Sequence, residues 1–483
     1  MKFAIFSRIG LLSFGVLFGS THAAPVAPTL VLKPCMVADV KEPLRCGDLL
    51  VPENWGSPRG RAISLHVVVV PALHPDPLLQ MPPLFDLAGG PGLADTPAAQ
   101  FFTTDGSIHR EHNDVVLVDQ RGSGGSGALH CPELERAASL DPLYASDTVR
   151  RCRIALQRNA DLTQYTTANA ARDMEAVRRA LGADKIDLSA LSYGTRVAQT
   201  YLRLYPDHVH AAVLMGTVPD GKKLPLWHAR NAQEVLDKIL DECAQDPACR
   251  GAFPDVRREW STVLRSLDGP SPVVALGGDG KTRVVIHKGP LAEAFRSTLI
   301  TTSGLRNAPF LIHAMAQHRF DAFLKPPGSG MGDAMGLYFS VVCMEDTVWI
   351  TDRERIDATT DTFVGTYRID AQRAACRQWN LPKVDAARDL GSYPEIPILL
   401  LSGGMDFVTP TAWAREVAAH DPKARVVVIP GLGHFPDGLS GMDCYDRLIA
   451  DFLAKGDATN LDTSCIAGMK PGPFTVSEKT ASR

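Results

Sequence analysis

Short apolar runs recur near both ends of the chain and predict buried strands. They are rich in valine, isoleucine and leucine, and they are nearly continuous rather than alternating with polar residues. Such runs are typical of strands that are buried on both faces, as in a parallel sheet. The predicted strands are residues 63–70, 83–87, 114–118, 185–188, 211–215, 397–401 and 424–429.

Apolar residues at helical spacing separate several of these strands. In 168–181, Met174, Val177 and Leu181 lie on one face, and Gly182 follows as a typical helix end. A second helix, 195–204, stops before Tyr205 and Pro206. The alternation of strands and helices predicts an α/β fold with a mostly parallel sheet and helices on both faces.

The short apolar runs that predict strands do not recur between residues 224 and 390. Helical patterns cover 232–243, 257–267 and 292–298, and a segment rich in glycine and proline occupies 326–332. The strands then return, and a closing helix is predicted over 445–453. One α/β domain interrupted by a mainly helical cap explains this better than two consecutive domains. The predicted core comprises 24–223 and 391–483, and the predicted cap comprises 224–390, inserted after the fifth to sixth core strand.

Composition and net charge limit the kinds of molecule that the protein is expected to bind. The 483 residues are 45% hydrophobic and 22% charged, which is ordinary for a globular protein. The formal net charge is −4, and no run of lysine or arginine stands out. Nucleic acid is therefore not an expected partner.

The first 23 residues have the features of a signal peptide. Lys2 and Arg8 supply positive charge, 9–18 is apolar, and Thr21-His22-Ala23 provides small residues near a cleavage site. The alternative is a membrane anchor, for which the apolar run is too short. We expect cleavage near Ala23, export to the periplasm or the medium, and no stable membrane anchor.

Ten cysteines in an exported chain favour disulfides over metal ligands. No C-x-x-C pair indicates a zinc site, so neither a metal nor a cofactor is expected. Several connectivities are compatible with the sequence. Pairing of sequence neighbours is the hypothesis adopted, which joins Cys35 to Cys46, Cys131 to Cys152, Cys243 to Cys249, Cys343 to Cys376 and Cys444 to Cys465.

The candidate chemistry centres on Ser192 in Ala190-Leu-Ser-Tyr-Gly194. A serine between a strand and a helix lies on a tight turn that exposes its hydroxyl, provided that the residues two before and two after are small. The usual pattern has glycine at the first small position, where this chain has Ala190. The pentapeptide alone is weak support, because S-x-G occurs often by chance.

A base and an acid follow in the expected order, each directly after a predicted strand. Asp406 follows 397–401, and His434 follows 424–429. Separately, the aspartate could cap a helix and the histidine could be an ordinary loop residue. Together they predict a Ser192–His434–Asp406 triad, with Ser192 as the nucleophile. Asp220, after the fifth strand, is the rival acid.

Acyl transfer also needs donors for the developing oxyanion. The backbone N–H of Tyr193 is one candidate. The other is in the glycine loop, residues Gly89 to Gly92, with Gly90 as the predicted donor. The segment from Asp119 to Gly122 is interpreted as structural. Its aspartate and arginine would brace the tight strand-to-helix turn at Ser192, the nucleophile elbow.

These motifs together resemble the α/β-hydrolase serine peptidases of the prolyl iminopeptidase and secreted tripeptidyl aminopeptidase group. The motifs are Gly89-Gly-Pro-Gly92, Asp119-Gln-Arg-Gly122, Ser192-Tyr-Gly-Thr195, Asp406-Phe-Val-Thr-Pro410 and Gly433-His434. The likeness runs from about Cys35 to Cys465 and is loose in the cap. Ala190 and Phe435 depart from the usual pattern, which leaves the shape of the pocket open.

The resemblance implies a serine exopeptidase acting on short peptides with a free N-terminus. An anion in the cap would then hold the substrate amine, and Glu345 is the candidate, with Asp346 second. A surface acid beside a disulfide is the alternative interpretation of Glu345.

Two other functions stay open. A carboxylesterase or lipase-like hydrolase would use the same triad, since folds of this kind host many reactions. A catalytically silent binding protein is the third hypothesis, and the filled triad positions argue against it.

Overall fold

The computed structural model describes residues 29–75, 81–276, 281, 283–324, 334–384, 393 and 395–477. The predicted signal peptide, the segment 326–332 and the predicted boundary at 390 lie outside these ranges. Numbering of strands and helices below follows chain order within the described residues.

Nine of the described strands form one sheet, in the order β1-β2-β3-β5-β4-β6-β7-β10-β11. In this sheet, β5, β4, β6, β7, β10 and β11 pair in parallel with their neighbours. At the other edge, β1, β2 and β3 pair antiparallel, and β3 is also antiparallel to β5. Two further strands, β8 and β9, form a separate antiparallel pair. The strands are β1 Lys33–Cys35, β2 Leu44–Pro52, β3 Ala62–Val70, β4 Leu84–Leu87, β5 Val115–Val118, β6 Ile186–Leu191, β7 Val209–Met215, β8 Val273–Leu276, β9 Arg283–Ile286, β10 Ile398–Gly403 and β11 Ala424–Ile429.

The predicted strands correspond to β3, β4, β5, β6, β7, β10 and β11. Every residue of β5 and of β10 is buried, as expected for strands that are covered on both faces. The sequence interpretation missed β1 and β2 because they lack a continuous apolar run. In β2, arginine, glycine and aspartate interrupt the leucines, and the partly exposed strand reads LRCGDLLVP.

Helices cover both faces of the sheet. The α-helices are α1 Ala99–Phe102, α2 Pro132–Glu135, α3 Ser146–Leu156, α4 Thr167–Leu181, α5 Tyr193–Leu204, α6 His228–Gln245, α7 Pro247–Ala252, α8 Val256–Leu267, α9 Lys288–Thr298, α10 Thr302–Ala316, α11 Met335–Val341, α12 Asp352–Thr359, α13 Tyr367–Trp379, α14 Thr411–Ala418 and α15 Asp443–Lys455. One apolar core joins the sheet to α4 and α5, and another joins its opposite face to α15. The predicted fold class is therefore confirmed.

Local sequence signals set the ends of α4. The hydroxyl of Thr166 accepts the backbone N–H of Asn169 at the first turn. Gly182 closes the helix with φ 72°, a left-handed conformation that glycine adopts without strain. These signals place α4 against α5, the helix that begins at Tyr193.

Residues between β7 and β10 are mainly helical and have an apolar core of their own. Aromatic rings of Trp260, Phe295 and Phe363 pack together there, with centroid distances of 4.7 to 5.8 Å. The antiparallel pair β8–β9 also belongs to this insertion and was not predicted. Its strands are short, so their apolar residues are hard to distinguish from those of a helix.

Five disulfides join sequence neighbours, which confirms the predicted pairing. They link Cys35 to Cys46, Cys131 to Cys152, Cys243 to Cys249, Cys343 to Cys376 and Cys444 to Cys465. Disulfides of this number are typical of proteins from oxidising compartments. Within the described ranges, no helix combines the length and the apolar character needed to cross a membrane.

The loop length closed by each disulfide predicts its contribution to stability. Removing the Cys343–Cys376 bond, with sequence separation 33, should lower the free energy of unfolding by about 4 kcal/mol. Removing Cys243–Cys249, with separation 6, should lower it by about 2 kcal/mol. Urea unfolding of the two paired Cys→Ser variants measures both values. A larger loss for the shorter loop would contradict the chain-entropy explanation.

Candidate active site

Ser192 lies on a strained turn between β6 and α5. Its backbone has φ 56° and ψ −123°, a conformation rare for a residue with a side chain. The backbone N–H of Ser192 donates to the carbonyl of Met215 at the end of β7, at 2.9 Å. This bond and the start of α5 hold the serine above the carboxyl edge of the sheet.

The small residues around Ser192 are required by neighbouring backbone. A Cβ on Gly194 would lie 2.1 Å from the carbonyl oxygen of Leu87, so a side chain there is excluded. Ala190 is fully buried and pairs with Leu87 on one side and Leu214 on the other. The methyl group that departs from the usual pattern therefore has space within the sheet.

His434 and Asp406 form a buried pair. His434 Nδ1 lies 2.9 Å from Asp406 Oδ2, and both side chains are almost fully inaccessible to solvent. Asp406 Oδ1 accepts the backbone N–H groups of Val408 and Thr409, and Oδ2 also accepts the Thr409 hydroxyl at 2.6 Å. These donors fix the carboxylate, and the carboxylate fixes the imidazole ring with Nε2 left for another partner.

The end of β7 brings the serine turn and the histidine loop together. Met215 holds the backbone of Ser192, and the next residue, Gly216, packs directly against His434. A Cβ on Gly216 would lie 3.2 Å from His434 Cε1 and 2.9 Å from Thr409 Oγ1. Asp220, the rival acid, is paired with Arg203.

The glycine loop packs against Ser192. A Cβ on Gly89 would lie 3.0 Å from Ser192 Cβ, so the absence of a side chain permits the close approach. Gly90 and Gly92 have φ of 107° and 116°, and the loop turns back on itself between them. Because Tyr193 is the first residue of α5, its backbone N–H has no partner within the helix.

The segment from Asp119 to Gly122 is buried and structural, but it does not brace the elbow directly. Asp119 accepts the backbone N–H groups of Asp95 and Thr96, at the far end of the glycine loop. Arg121 forms a fully buried bidentate pair with Asp173 of α4, with both distances 2.6 Å. The segment therefore supports the glycine loop and α4.

Two parts of the chain match protein-family models, and together they contain the site. Residues 89–268, with the glycine loop and Ser192, match the family described as alpha/beta hydrolase fold. Residues 361–465, with Asp406 and His434, match the family described as TAP-like protein. The chain has the α/β-hydrolase fold. It is a serine hydrolase.

The hydrolase is similar to curated peptidases over most of its length. It is 24% identical to serine protease Hip1 of Mycobacterium tuberculosis, with 87% of each chain covered. It is 27% identical to tripeptidyl aminopeptidase of Streptomyces lividans, over 90% of this chain and 86% of that one. Among solved structures, proline iminopeptidase of Mycobacterium smegmatis aligns with a TM-score of 0.41 and 16% identity, covering 85% of this chain and 98% of that one.

Glu345 and Asp346 lie behind the elbow of the hydrolase, in a π-helical turn after α11. The Glu345 carboxylate accepts the backbone N–H of Thr167 at 2.8 Å and its hydroxyl at 2.6 Å. Thr167 Oγ1 in turn lies 3.0 Å from the Tyr193 hydroxyl. Asp346 pairs with Arg196 of α5 at 3.0 and 3.1 Å. Glu345 is thus engaged with α4 and Asp346 with α5, the helix that follows Ser192, and a role in holding a substrate amine stays a prediction.

A cavity of about 730 Å³ lies between cap helix α9 and the segment that follows α2. Its volume is in the range of pockets for small ligands. Residues on its wall include Tyr144, Glu293, Ser297 and Met335. The lining of this cavity does not include the glycine loop, Ser192 or His434; the link to them is indirect, since Ala334, next to Met335, donates its backbone N–H to the carbonyl of Gly92.

A group of buried titratable residues that the sequence interpretation missed includes Glu293, which lines this cavity. Burial alone would raise the pKa of Glu293, but the charges of Arg296 and Arg368 outweigh it and lower that pKa. Burial lowers the pKa of His228 well below its ordinary value, and Arg368, Arg296 and His434 add to this effect. Neither ring nitrogen of His228 has a hydrogen-bond partner among the described residues. No motif marks these positions, since they meet only after the cap has folded.

The environment of Glu345 predicts a pH-dependent stability. Burial raises its pKa from 4.5 to about 7, although Thr167 and Arg196 favour the charged form. The stabilising contribution of such a carboxyl is full below its unfolded pKa and is lost as pH rises through about 7. Glu345→Gln removes the titration. Wild type should therefore lose about 3 kcal/mol of its free energy of unfolding between about pH 4 and about pH 8 that the variant does not lose. The difference in free energy of unfolding, Glu345→Gln minus wild type, rises by that amount.

Urea unfolding at both pH values measures this change, with the exposed Glu234→Gln as the matched control. A Glu345→Gln profile parallel to that of wild type would show that this carboxyl does not titrate in the folded protein within that range.

Proposed function

We propose that this hydrolase is an exported serine exopeptidase that cleaves short peptides near a free N-terminus. Ser192 is the nucleophile, His434 the general base and acid, and Asp406 the group that orients the imidazole. One observation carries the proposal: the strained Ser192 and the His434–Asp406 pair meet at the end of β7, with the glycine loop packed against the serine.

The geometry supports an acyl-enzyme route. His434 Nε2 takes the proton from Ser192 Oγ as the oxygen attacks the scissile carbonyl carbon. The backbone N–H groups of Tyr193 and Gly90 stabilise the resulting oxyanion. The tetrahedral intermediate collapses as His434 gives its proton to the leaving amine. Water, activated by the same histidine, then hydrolyses the ester on Ser192 and restores the enzyme.

The preference for peptides over other acyl substrates is supported by the relatives, which are a serine protease and tripeptidyl aminopeptidases. The cavity lined by Glu293 and Met335 has a volume of about 730 Å³, which gives room for a few residues of peptide. Export is supported by the five disulfides and by the same relatives. A signal peptide cleaved near Ala23 is part of the proposal.

Replacing the nucleophile gives the first test. Ser192→Ala should lower kcat/KM by roughly 10⁴-fold or more, because the remaining groups cannot form an acyl-enzyme. It should also abolish labelling by a fluorophosphonate probe. Mass spectrometry of the labelled peptide and steady-state kinetics check both expectations.

The exposed Ser57→Ala is the control, and its labelling and kinetics should match those of wild type. Labelling that persists in Ser192→Ala would remove Ser192 as the nucleophile.

The free N-terminus gives the second test. Tripeptide and single-residue p-nitroanilides with a free amine should be cleaved roughly 10- to 100-fold faster than their N-acetylated forms, because a charged contact in the cap is lost on acetylation. Comparison of kcat/KM for the paired substrates measures the ratio. Equal rates for both forms, together with rapid turnover of p-nitrophenyl esters, would instead favour the carboxylesterase alternative.

The ratio of kcat/KM for free and N-acetylated substrates also identifies the residue that binds the substrate amine. If Glu345 holds the amine, Glu345→Gln should remove the preference for the free amine, and Asp346→Asn is the second candidate. Glu293→Gln is the comparison, since Glu293 lies on the cavity wall whereas both oxygens of Glu345 are engaged by Thr167. A preference that survives in Glu345→Gln would refute Glu345 as the anchor.

A further inference from the structure

The hydroxyl of Thr409 lies between the two partners of the buried His434–Asp406 pair. Its oxygen is 2.6 Å from Asp406 Oδ2 and 3.1 Å from His434 Nδ1. Since Oδ2 and Nδ1 are themselves 2.9 Å apart, the three atoms form a nearly equilateral triangle. Thr409 is 1% exposed, so solvent has almost no access to these atoms.

The distances assign the hydrogens of the triangle. A hydroxyl has one hydrogen to donate and two lone pairs that accept. The contact with Asp406 Oδ2 has the length of a bond from a hydroxyl to a charged oxygen, so the hydroxyl hydrogen is directed at the carboxylate. A lone pair of Thr409 Oγ1 is then available to Nδ1. The N–H of Nδ1 is therefore shared between Asp406 Oδ2 and Thr409 Oγ1, which leaves Nε2 of the neutral ring without a hydrogen.

The loop between β10 and α14 fixes the side chain of Thr409. Its backbone N–H donates to Asp406 Oδ1 at 2.9 Å, so this one residue binds both oxygens of the carboxylate. Pro410 follows, and α14 begins at Thr411. Thr411 Oγ1 lies 3.0 Å from the hydroxyl of Ser402 in β10. The loop is thus tied back to the strand from which it starts.

The end of β7 leaves space for the same hydroxyl. Gly216 has φ 59°, and a Cβ there would lie 2.9 Å from Thr409 Oγ1. The preceding residue, Met215, accepts the backbone N–H of Ser192. The hydroxyl is therefore placed by the strand that also holds the turn of the nucleophile.

We propose that Thr409 is a positioning residue of the active site, whose hydroxyl sets the direction of the His434 ring. The inference rests on the proposed function, in which His434 Nε2 takes the proton of Ser192. With two acceptors, Nδ1–H points between Oδ2 and Oγ1. With Oδ2 alone, the ring tilts toward Asp406, and Nε2 on its far side moves relative to Ser192 Oγ. Thr409 does not touch the substrate in this role, so it affects kcat more than KM.

A purely structural role is the alternative. The hydroxyl would then do no more than satisfy a buried carboxylate oxygen, whose loss of a donor destabilises the folded protein. Both roles predict a lower free energy of unfolding without the hydroxyl. Only the positioning role also predicts slower turnover in variant protein that is fully folded.

The test compares Thr409→Val with Thr409→Ser in the full-length enzyme. Valine keeps the branched shape and removes the hydroxyl, whereas serine keeps the hydroxyl. Thr409→Val should lower kcat on a p-nitrophenyl ester roughly 10-fold with little change in KM, and Thr409→Ser should recover most of that loss. The rate of fluorophosphonate labelling of Ser192 should fall by a similar factor. The exposed Thr262→Val is the matched control and should behave as wild type.

A proton spectrum gives a measurement that does not depend on turnover. The Nδ1 proton of a histidine bonded to a carboxylate resonates far downfield, and further downfield as the bond shortens. In Thr409→Val this proton has Asp406 Oδ2 as its one acceptor, so its signal should move downfield from the wild-type position. In Thr409→Ser it should stay near that position.

An unchanged kcat in Thr409→Val would overturn the proposal, as would a Thr409→Ser variant that is as slow as Thr409→Val. A signal of the Nδ1 proton at the same position in wild type and Thr409→Val would equally overturn it. Thr409→Ala is the second variant if Thr409→Val does not fold, and the same losses are expected of it. Labelling that persists in Ser192→Ala would instead refute the proposed function, whatever the Thr409 variants show.

Discussion

The backbone of Ser192 is the constraint on which the rest of the site depends. A residue with a side chain at φ 56° and ψ −123° is strained by roughly 1–3 kcal/mol, and the surrounding structure has to compensate. The hydrogen bond from Ser192 N to Met215 O contributes, as does the close packing of Gly194 on the carbonyl of Leu87. Three neighbouring strands, β4, β6 and β7, therefore determine where one hydroxyl points. Loss of any of these contacts would let the turn relax and would move the proposed nucleophile.

Buried polar groups behind the turn hold the helices that fix it. Glu345 bonds Thr167 at the start of α4, and Arg196 of α5 pairs with Asp346 from the cap side. Arg121 joins α4 to Asp173 with no exposure to solvent. Removing one partner of a buried ion pair is strongly destabilising, because the other charge stays unpaired. These hydrogen bonds and ion pairs hold α4 and α5 in position beside Ser192.

Much of the core was predictable from local patterns, and much of the cap was not. Strands such as β5 and β10 are uniformly apolar, and Ser192, Asp406 and His434 each follow a strand, so their shared edge follows from parallel pairing. By contrast, β2 has a mixed pattern and is defined by its pairing with β3. The partners of Glu345 depend on the packing of distant helices, which periodicity does not encode.

The cap does more than cover the cavity, because it also holds the histidine loop. The backbone N–H of His434 donates to the carbonyl of Ile300 at 2.8 Å, and that of Gly433 donates to Thr302 Oγ1 at 3.0 Å. Ile300 and Thr302 lie at the turn between α9 and α10, and α9 also carries Glu293, which lines the cavity. One short segment thus connects the wall of the cavity to the proposed base. A change that moved Ile300 or Thr302 would therefore also move the backbone of Gly433 and His434.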